Sequence, residues 1–101
     1  MSAALALSDA ELAEVRAILR RHLPAGVRAG AFGSRAGGRP KPWSDLDLVL
    51  EGPDALPLAL MAELAEAFDD SALPWKVDLV DRRMVNDAFG TIIDANRIDL
   101  E

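Results

Sequence analysis

The sequence predicts an α/β domain, a small β-sheet with helices packed on it. Three observations predict it. Three segments place apolar residues at helical spacing, three short segments read as strands, and they follow in the order α-β-turn-β-α-β-α along one chain without a repeat or a linker. The 101 residues fit one domain spanning 1–101, large enough for one modest core. Half the residues are hydrophobic and 28% are charged, with a net charge of -6, so a generic basic nucleic-acid surface is not expected. No apolar run approaches the roughly 20 residues that span a bilayer, so no membrane partner is expected either. Met1 to Leu7 is apolar but short and lacks a basic start, unlike a secretory signal. The absence of cysteine excludes disulfides, thiolate metal sites and cysteine nucleophiles. It agrees with the cytoplasm, the expected location.

The elements follow in order. Ser8 with Glu11 is a capping box, and Leu12, Val15, Ile18 and Leu19 repeat at helical spacing, so Ser8 to Leu23 is the first helix, stopped by Pro24 and Gly26. Val27 to Phe32 alternates weakly and reads as a short strand. Gly33 to Ser44 is rich in Gly, Pro, Arg and Ser and reads as loop, with room for one helical turn just after Gly33-Ser34. Leu46 to Leu50 is a strand with Leu46, Leu48 and Leu50 on one face and Asp45, Asp47 and Val49 on the other. Leu56, Leu60, Leu64 and Phe68 recur every four residues, so Ala55 to Asp69 is a helix with Pro57 in its first turn. Trp75 to Val80 is a third strand, and Met84 to Asn96 a last helix whose stripe is Val85, Phe89, Ile92 and Ile93. Arg97 to Glu101 reads as a final strand or a tail.

The chemistry-bearing pattern is Gly33-Ser34 followed by Asp45-Leu46-Asp47. Two residues apart on a strand, the two aspartates share a face and repel one another. A divalent cation relieves that repulsion, and hard oxygen ligands suit Mg²⁺ or Mn²⁺. Asp78 sits mid-strand in Lys76-Val77-Asp78-Leu79-Val80, and it joins the pair if the third strand lies beside the second. Three carboxylates on one face can hold two metals about 3.5–4 Å apart, an arrangement used for in-line nucleotidyl displacement. Gly33 lets a backbone approach a ligand, Ser34 adds a hydroxyl and an N–H, and Arg35 offers a charge-assisted contact, so this half suits a triphosphate. Each part also has a plainer reading: a turn, a solvated strand edge, a surface aspartate.

Taken together the pattern resembles the minimal nucleotidyltransferases of the DNA polymerase beta superfamily. Their signature is Gly-Ser, ten residues, then Asp-x-Asp, with a third Asp on a later strand. Here Arg35 to Ser44 separates Gly33-Ser34 from Asp45-Leu46-Asp47, and Asp78 follows. The resemblance covers nearly the whole chain. It implies a polymerase-beta-like nucleotidyltransferase fold with a mixed sheet carrying two Mg²⁺ ions on Asp45, Asp47 and Asp78. Asp45 and Asp47 would ligate both ions, and Asp78 would ligate the catalytic one and help deprotonate the acceptor. Gly33 and Ser34 would hold the β and γ phosphates of ATP. The resemblance further implies a small helical HEPN-type protein as partner, in a toxin–antitoxin pair where the transferase adds AMP to a tyrosine of the toxin.

Three functions are therefore weighed. The first is a protein adenylyltransferase acting as antitoxin. The second is an antitoxin neutralising its partner by contact alone. The third is the catalytic subunit of an aminoglycoside-type nucleotidyltransferase, which the lack of an acceptor domain disfavours. A homodimer is the expected assembly if no helical partner binds. Of the remaining residues, His22 suits a helix C-terminus. Trp43 and Trp75 offer base stacking or packing, with packing favoured for Trp75. Arg39 and Lys41 reach phosphates or form a solvated loop. Arg82 and Arg83 read as the end of a strand.

Overall fold

The computed structural model describes residues 5–100. Seven elements order the chain: α1 (Asp9–His22), β1 (Arg28–Phe32), β2 (Leu46–Glu51), α2 (Leu58–Asp69), β3 (Val77–Asp81), α3 (Asp87–Asn96) and β4 (Ile98–Asp99), with a single 3-10 turn at Gly33–Arg35. The expectations for Met1 to Ala4 and for Glu101 lie outside the described residues.

Helix α1 begins where its capping box dictates. The Ser8 hydroxyl accepts from the Glu11 N–H at 3.1 Å, and the Glu11 carboxylate accepts from the Ser8 N–H at 2.9 Å, so two donors that the first turn leaves free are satisfied reciprocally. Helix α2 starts three residues later than its apolar period suggests. Asp81 is the cause: its buried carboxylate accepts the Leu56 N–H at 2.7 Å, which holds Leu56 outside the helix and leaves Pro57 as N-cap. Helix α3 also starts late. Met84 is drawn into a turn by its N–H to the Asp81 carbonyl, and the Asn86 side chain caps the helix by accepting from Phe89 N–H at 2.8 Å. The third strand is Val77–Asp81 rather than Trp75 to Val80, because its pairing with β2 begins at Leu46 opposite Val77. The C-terminal segment is a strand, β4, the first of its two sequence readings.

The sheet is mixed, in the order β3-β2-β1-β4. Strand β1 pairs antiparallel with β2 and with β4, whereas β2 and β3 run parallel. The register sorts the side chains. Leu46, Leu48, Leu50, Ala29, Ala31 and Val77 face α1 and α2, where Val15, Ile18, Leu19, Leu64 and Phe68 close the main core. The opposite face carries Phe32, Val49 and Val80 under Ile93 of α3. Both faces of β2 are therefore buried along most of its length, which is why it reads as a near-continuous apolar run. Each fully buried Leu in it contributes about 1.5–3 kcal/mol of burial.

An ionic cluster fastens α3 to its face. Arg82 crosses the helix at Gly90, where a side chain would collide with the guanidinium, and donates to both oxygens of Asp94 at 3.1 and 3.0 Å. At the helix end Arg97 donates to Glu51 at 2.7 Å. Arg82 therefore serves α3 rather than only ending a strand, while Arg83 does close the strand end, its backbone N–H on Asp81 and its side chain on the Gly52 carbonyl.

Candidate functional site

The edge of the sheet face left open by α3 begins at the rung Phe32–Asp47–Asp78. Asp47 is the register partner of Phe32 on β1 and of Asp78 on β3. Parallel pairing directs both carboxylates to the same face, so the third strand lies beside the second as the acidic pattern requires. Asp45 stands just before β2. Partial burial pushes the Asp47 carboxyl above the ordinary carboxylate range, and the negative charges of Asp78 and Asp45 push it the same way. Lys76, two residues before Asp78 on the same face, approaches its carboxylate at 3.4 Å and offsets part of that charge.

Strand β1 ends at Gly33, which turns into the single 3-10 turn with φ +80. An L side chain is strained there, and its Cβ would run into the Asp47 carboxylate. The backbone of Gly33 therefore lies directly against Asp47. Beyond it, Gly33, Ser34, Ala36, Gly37, Gly38 and Arg39 form one wall of a cavity of about 490 Å³; Phe32, Phe89, Ile92 and Asn96 form the other.

Arg35 departs from its expected role. Its side chain is buried, and its guanidinium donates to the carbonyls of Ser44, Ala6, Lys41 and Pro42 at 2.9–3.2 Å while lying 4.7 Å from the Trp75 ring centre. Those four carbonyls and the ring engage all of its donor nitrogens. Arg35 is thus the internal tie of the loop leading into Asp45, and the phosphate contact assigned to it is corrected. Trp75 packs, as favoured, whereas Trp43 is 72% exposed with Lys41 over its ring at 5.5 Å. His22 contacts Glu63 of α2 at 2.6 Å, a link between two helices rather than a helix-end charge alone.

The α3 wall was not legible as a site. Phe89 and Ile92 follow the apolar stripe of the helix, yet they are 39% and 58% exposed, and Ile93 is the member that enters the core. The only signal was that two adjacent isoleucines cannot both face inward on one helix.

Among the described residues, no three carboxylate or imidazole side chains close into a preformed metal cage. What the rung offers is paired carboxylates on one face, with Lys76 as the cation beside Asp78. That donor set fits Mg²⁺, which takes one or two protein carboxylates and completes its octahedron with phosphate oxygens and water.

Residues 12–99 match the family model described as nucleotidyltransferase domain. A Haemophilus influenzae protein named "Probable protein adenylyltransferase MntA" is 41% identical over 91 residues, covering 90% of this chain and 79% of that one. A chain in a crystal structure of a toxin–antitoxin with AMP-PNP superposes with a TM-score of 0.74 at 27% identity, over 89% of this chain and 72% of that one. A chain from the complex of a tri-AMPylated Shewanella oneidensis HEPN toxin with MNT antitoxin shares the fold, with a TM-score of 0.67 at 24% identity over 89% and 68% of the two chains. Among the described residues no helix is long and apolar enough to cross a membrane.

Proposed function

The chain belongs to the nucleotidyltransferase domain family, and from that membership we propose that it transfers AMP from ATP to a hydroxyl of a HEPN-type toxin and so acts as its antitoxin. The observation that carries the reading is the rung itself: Asp47 opposite Asp78 on one face, with Gly33 against Asp47. The 41% identity to a protein named as an adenylyltransferase supports the reaction, and the similarity to a toxin–antitoxin with AMP-PNP supports the nucleotide and the kind of partner.

The residues divide the work as follows. Gly33 and Ser34 receive the β and γ phosphates through their backbone N–H groups and the Ser34 hydroxyl. Asp45 and Asp47 would hold Mg²⁺, with Asp78 reaching a second ion. When bound, the metal neutralises phosphate charge and stabilises the attacking and leaving oxygens of an in-line displacement. Asp78 takes the proton of the acceptor hydroxyl. The hydroxyl oxygen bonds to the α-phosphorus, the bridge between α and β phosphates breaks, and pyrophosphate leaves. The reading puts the chain in the cytoplasm, where nucleoside triphosphate is supplied.

The test is incubation of the chain with its co-purified helical partner, Mg²⁺ and ATP labelled at the α-phosphate. Label on the partner with wild type, and none with Asp78→Ala, is the expected result. A wild-type chain that neutralises the partner without labelling it would overturn the transferase reading in favour of neutralisation by contact.

A further inference from the structure

The cavity beside Gly33 and Ser34 has ten lining residues, and Arg39 alone among them carries a charge. We propose that Arg39 is the cation that receives the terminal phosphates of the donor and the departing pyrophosphate. The inference rests on the adenylyl-transfer reading above.

Four observations converge. First, Arg39 makes no hydrogen bond or ion pair among the described residues, whereas Arg35, in the same loop, is engaged by four carbonyls. The two arginines are divided between inside and outside. Second, Arg39 lies in a loop that is tied at both ends. At one end Gly38 packs backbone against backbone on Ser34, so closely that a Cβ would stand 2.8 Å from the Ser34 Cα and carbonyl oxygen. At the other end the carbonyls of Lys41 and Pro42 are tied down by Arg35. Residue 39 therefore emerges directly beside Ser34. Third, the facing wall is Phe89 and Ile92 of α3, which displace water and strengthen a charge-assisted contact in the cavity. Fourth, the chain is acidic overall and its site is lined by aspartates. A triphosphate approaching them needs a protein cation at the end away from the metal-holding carboxylates.

The in-line geometry assigns the step. As the acceptor oxygen bonds to the α-phosphorus and the bond to the bridging oxygen breaks, negative charge accumulates on the β and γ phosphates. The attacking oxygen enters from the opposite side, toward Asp78. A guanidinium beside Ser34 meets the growing charge bidentately, a geometry that ammonium lacks.

Calorimetric binding of ATP, AMP and pyrophosphate in Mg²⁺ to wild type, Arg39→Ala, Arg39→Lys and Arg21→Ala tests the proposal, alongside the labelling assay. Arg21 lies in the α1–α2 groove, away from the cavity, and controls for lost charge. In Arg39→Ala the dissociation constants for ATP and pyrophosphate should rise about tenfold or more, with AMP binding within about twofold of wild type. Arg39→Lys should recover part of the loss, and Arg21→Ala should match wild type. Circular dichroism and melting temperature confirm that each variant is folded. ATP and pyrophosphate binding unchanged in a folded Arg39→Ala would overturn the role of Arg39 while leaving transfer intact. An equal loss in Arg21→Ala would reduce the effect to net charge and also overturn it. A wild type that neither binds triphosphate nor labels the partner would overturn the transfer reading, and this role with it.

Discussion

Asp47 and Asp78 are direct register partners across the parallel pair β2 and β3, their carboxylates on one face. Two acids forced side by side destabilise the free chain and prepare it for a cation. Partial burial, and then the charges of Asp78 and Asp45, push the Asp47 carboxyl above the ordinary carboxylate range.

The sign of that shift gives the first prediction. A carboxyl with a raised folded-state pKa contributes stability that is full below its unfolded value and is lost as pH rises through the folded one. At neutral pH the ionised Asp47 is a liability. Asp47→Asn should melt about 2 °C higher than wild type at pH 7, a difference that closes as pH falls through the carboxylate range. Thermal melts across pH check it, and a lower melting temperature at pH 7 would make the side chain structural.

Asp78→Ala separates catalysis from docking. Loss of a group at the reacting centre of a metal-assisted displacement should lower labelled-AMP transfer by several orders of magnitude. Affinity for the helical partner should change by less than about threefold, because one side chain inside a site is not an interface anchor. Paired transfer and affinity measurements decide it.

Gly33 and Gly26 have nearly the same backbone conformation, φ +80 and +86, but only at Gly33 would a Cβ meet another side chain, that of Asp47. Gly26→Ala should cost about 1 kcal/mol from conformation alone. Gly33→Ala should cost about 1–3 kcal/mol more, with ATP affinity reduced in parallel. Urea denaturation of both variants, read against each other, isolates the contact with Asp47.

Removal of Arg35 should be structural. Arg35→Ala leaves the carbonyls of Ala6, Lys41, Pro42 and Ser44 without their donor and Trp75 without its stacked cation. A loss of about 2–4 kcal/mol by urea denaturation is expected. A folded, fully stable Arg35→Ala whose ATP affinity alone falls would restore the phosphate role that the structure denies it.

Asp94 provides an acid-side test. Its hydrogen bond to Arg82 holds its carboxyl below the ordinary range, so its contribution is present above the unfolded value and is lost as pH falls through the folded one. Asp94→Asn should melt slightly lower than wild type at pH 7, and the two should converge in acid. The pair is exposed, so high salt should shrink the difference.

The Gly-Ser turn, the spacing to Asp45 and Asp47, and the acidic residue within the third strand were legible in the sequence because each is a local rule: turn chemistry, period-two alternation, a charge where an apolar residue is cheaper. The capping box at Ser8 was legible for the same reason, both partners lying three residues apart. Contacts distant in sequence were not. That β3 lies beside β2, and so brings Asp78 opposite Asp47, depends on a parallel crossover through α2 whose pairing no local pattern encodes. The late start of α2 depends on Asp81, 25 residues from the Leu56 N–H it accepts. The different settings of Arg35 and Arg39 have the same origin. Both are arginines in one polar loop, and only the tertiary fold buries Arg35 against Trp75 and four carbonyls while leaving Arg39 over the cavity. Sequence alone determined which chemistry this chain carries, since residue type and short spacing are written in it. Tertiary structure decided which of two like residues is buried and which is left exposed, because burial and hydrogen-bond satisfaction are set by segments that meet only after folding.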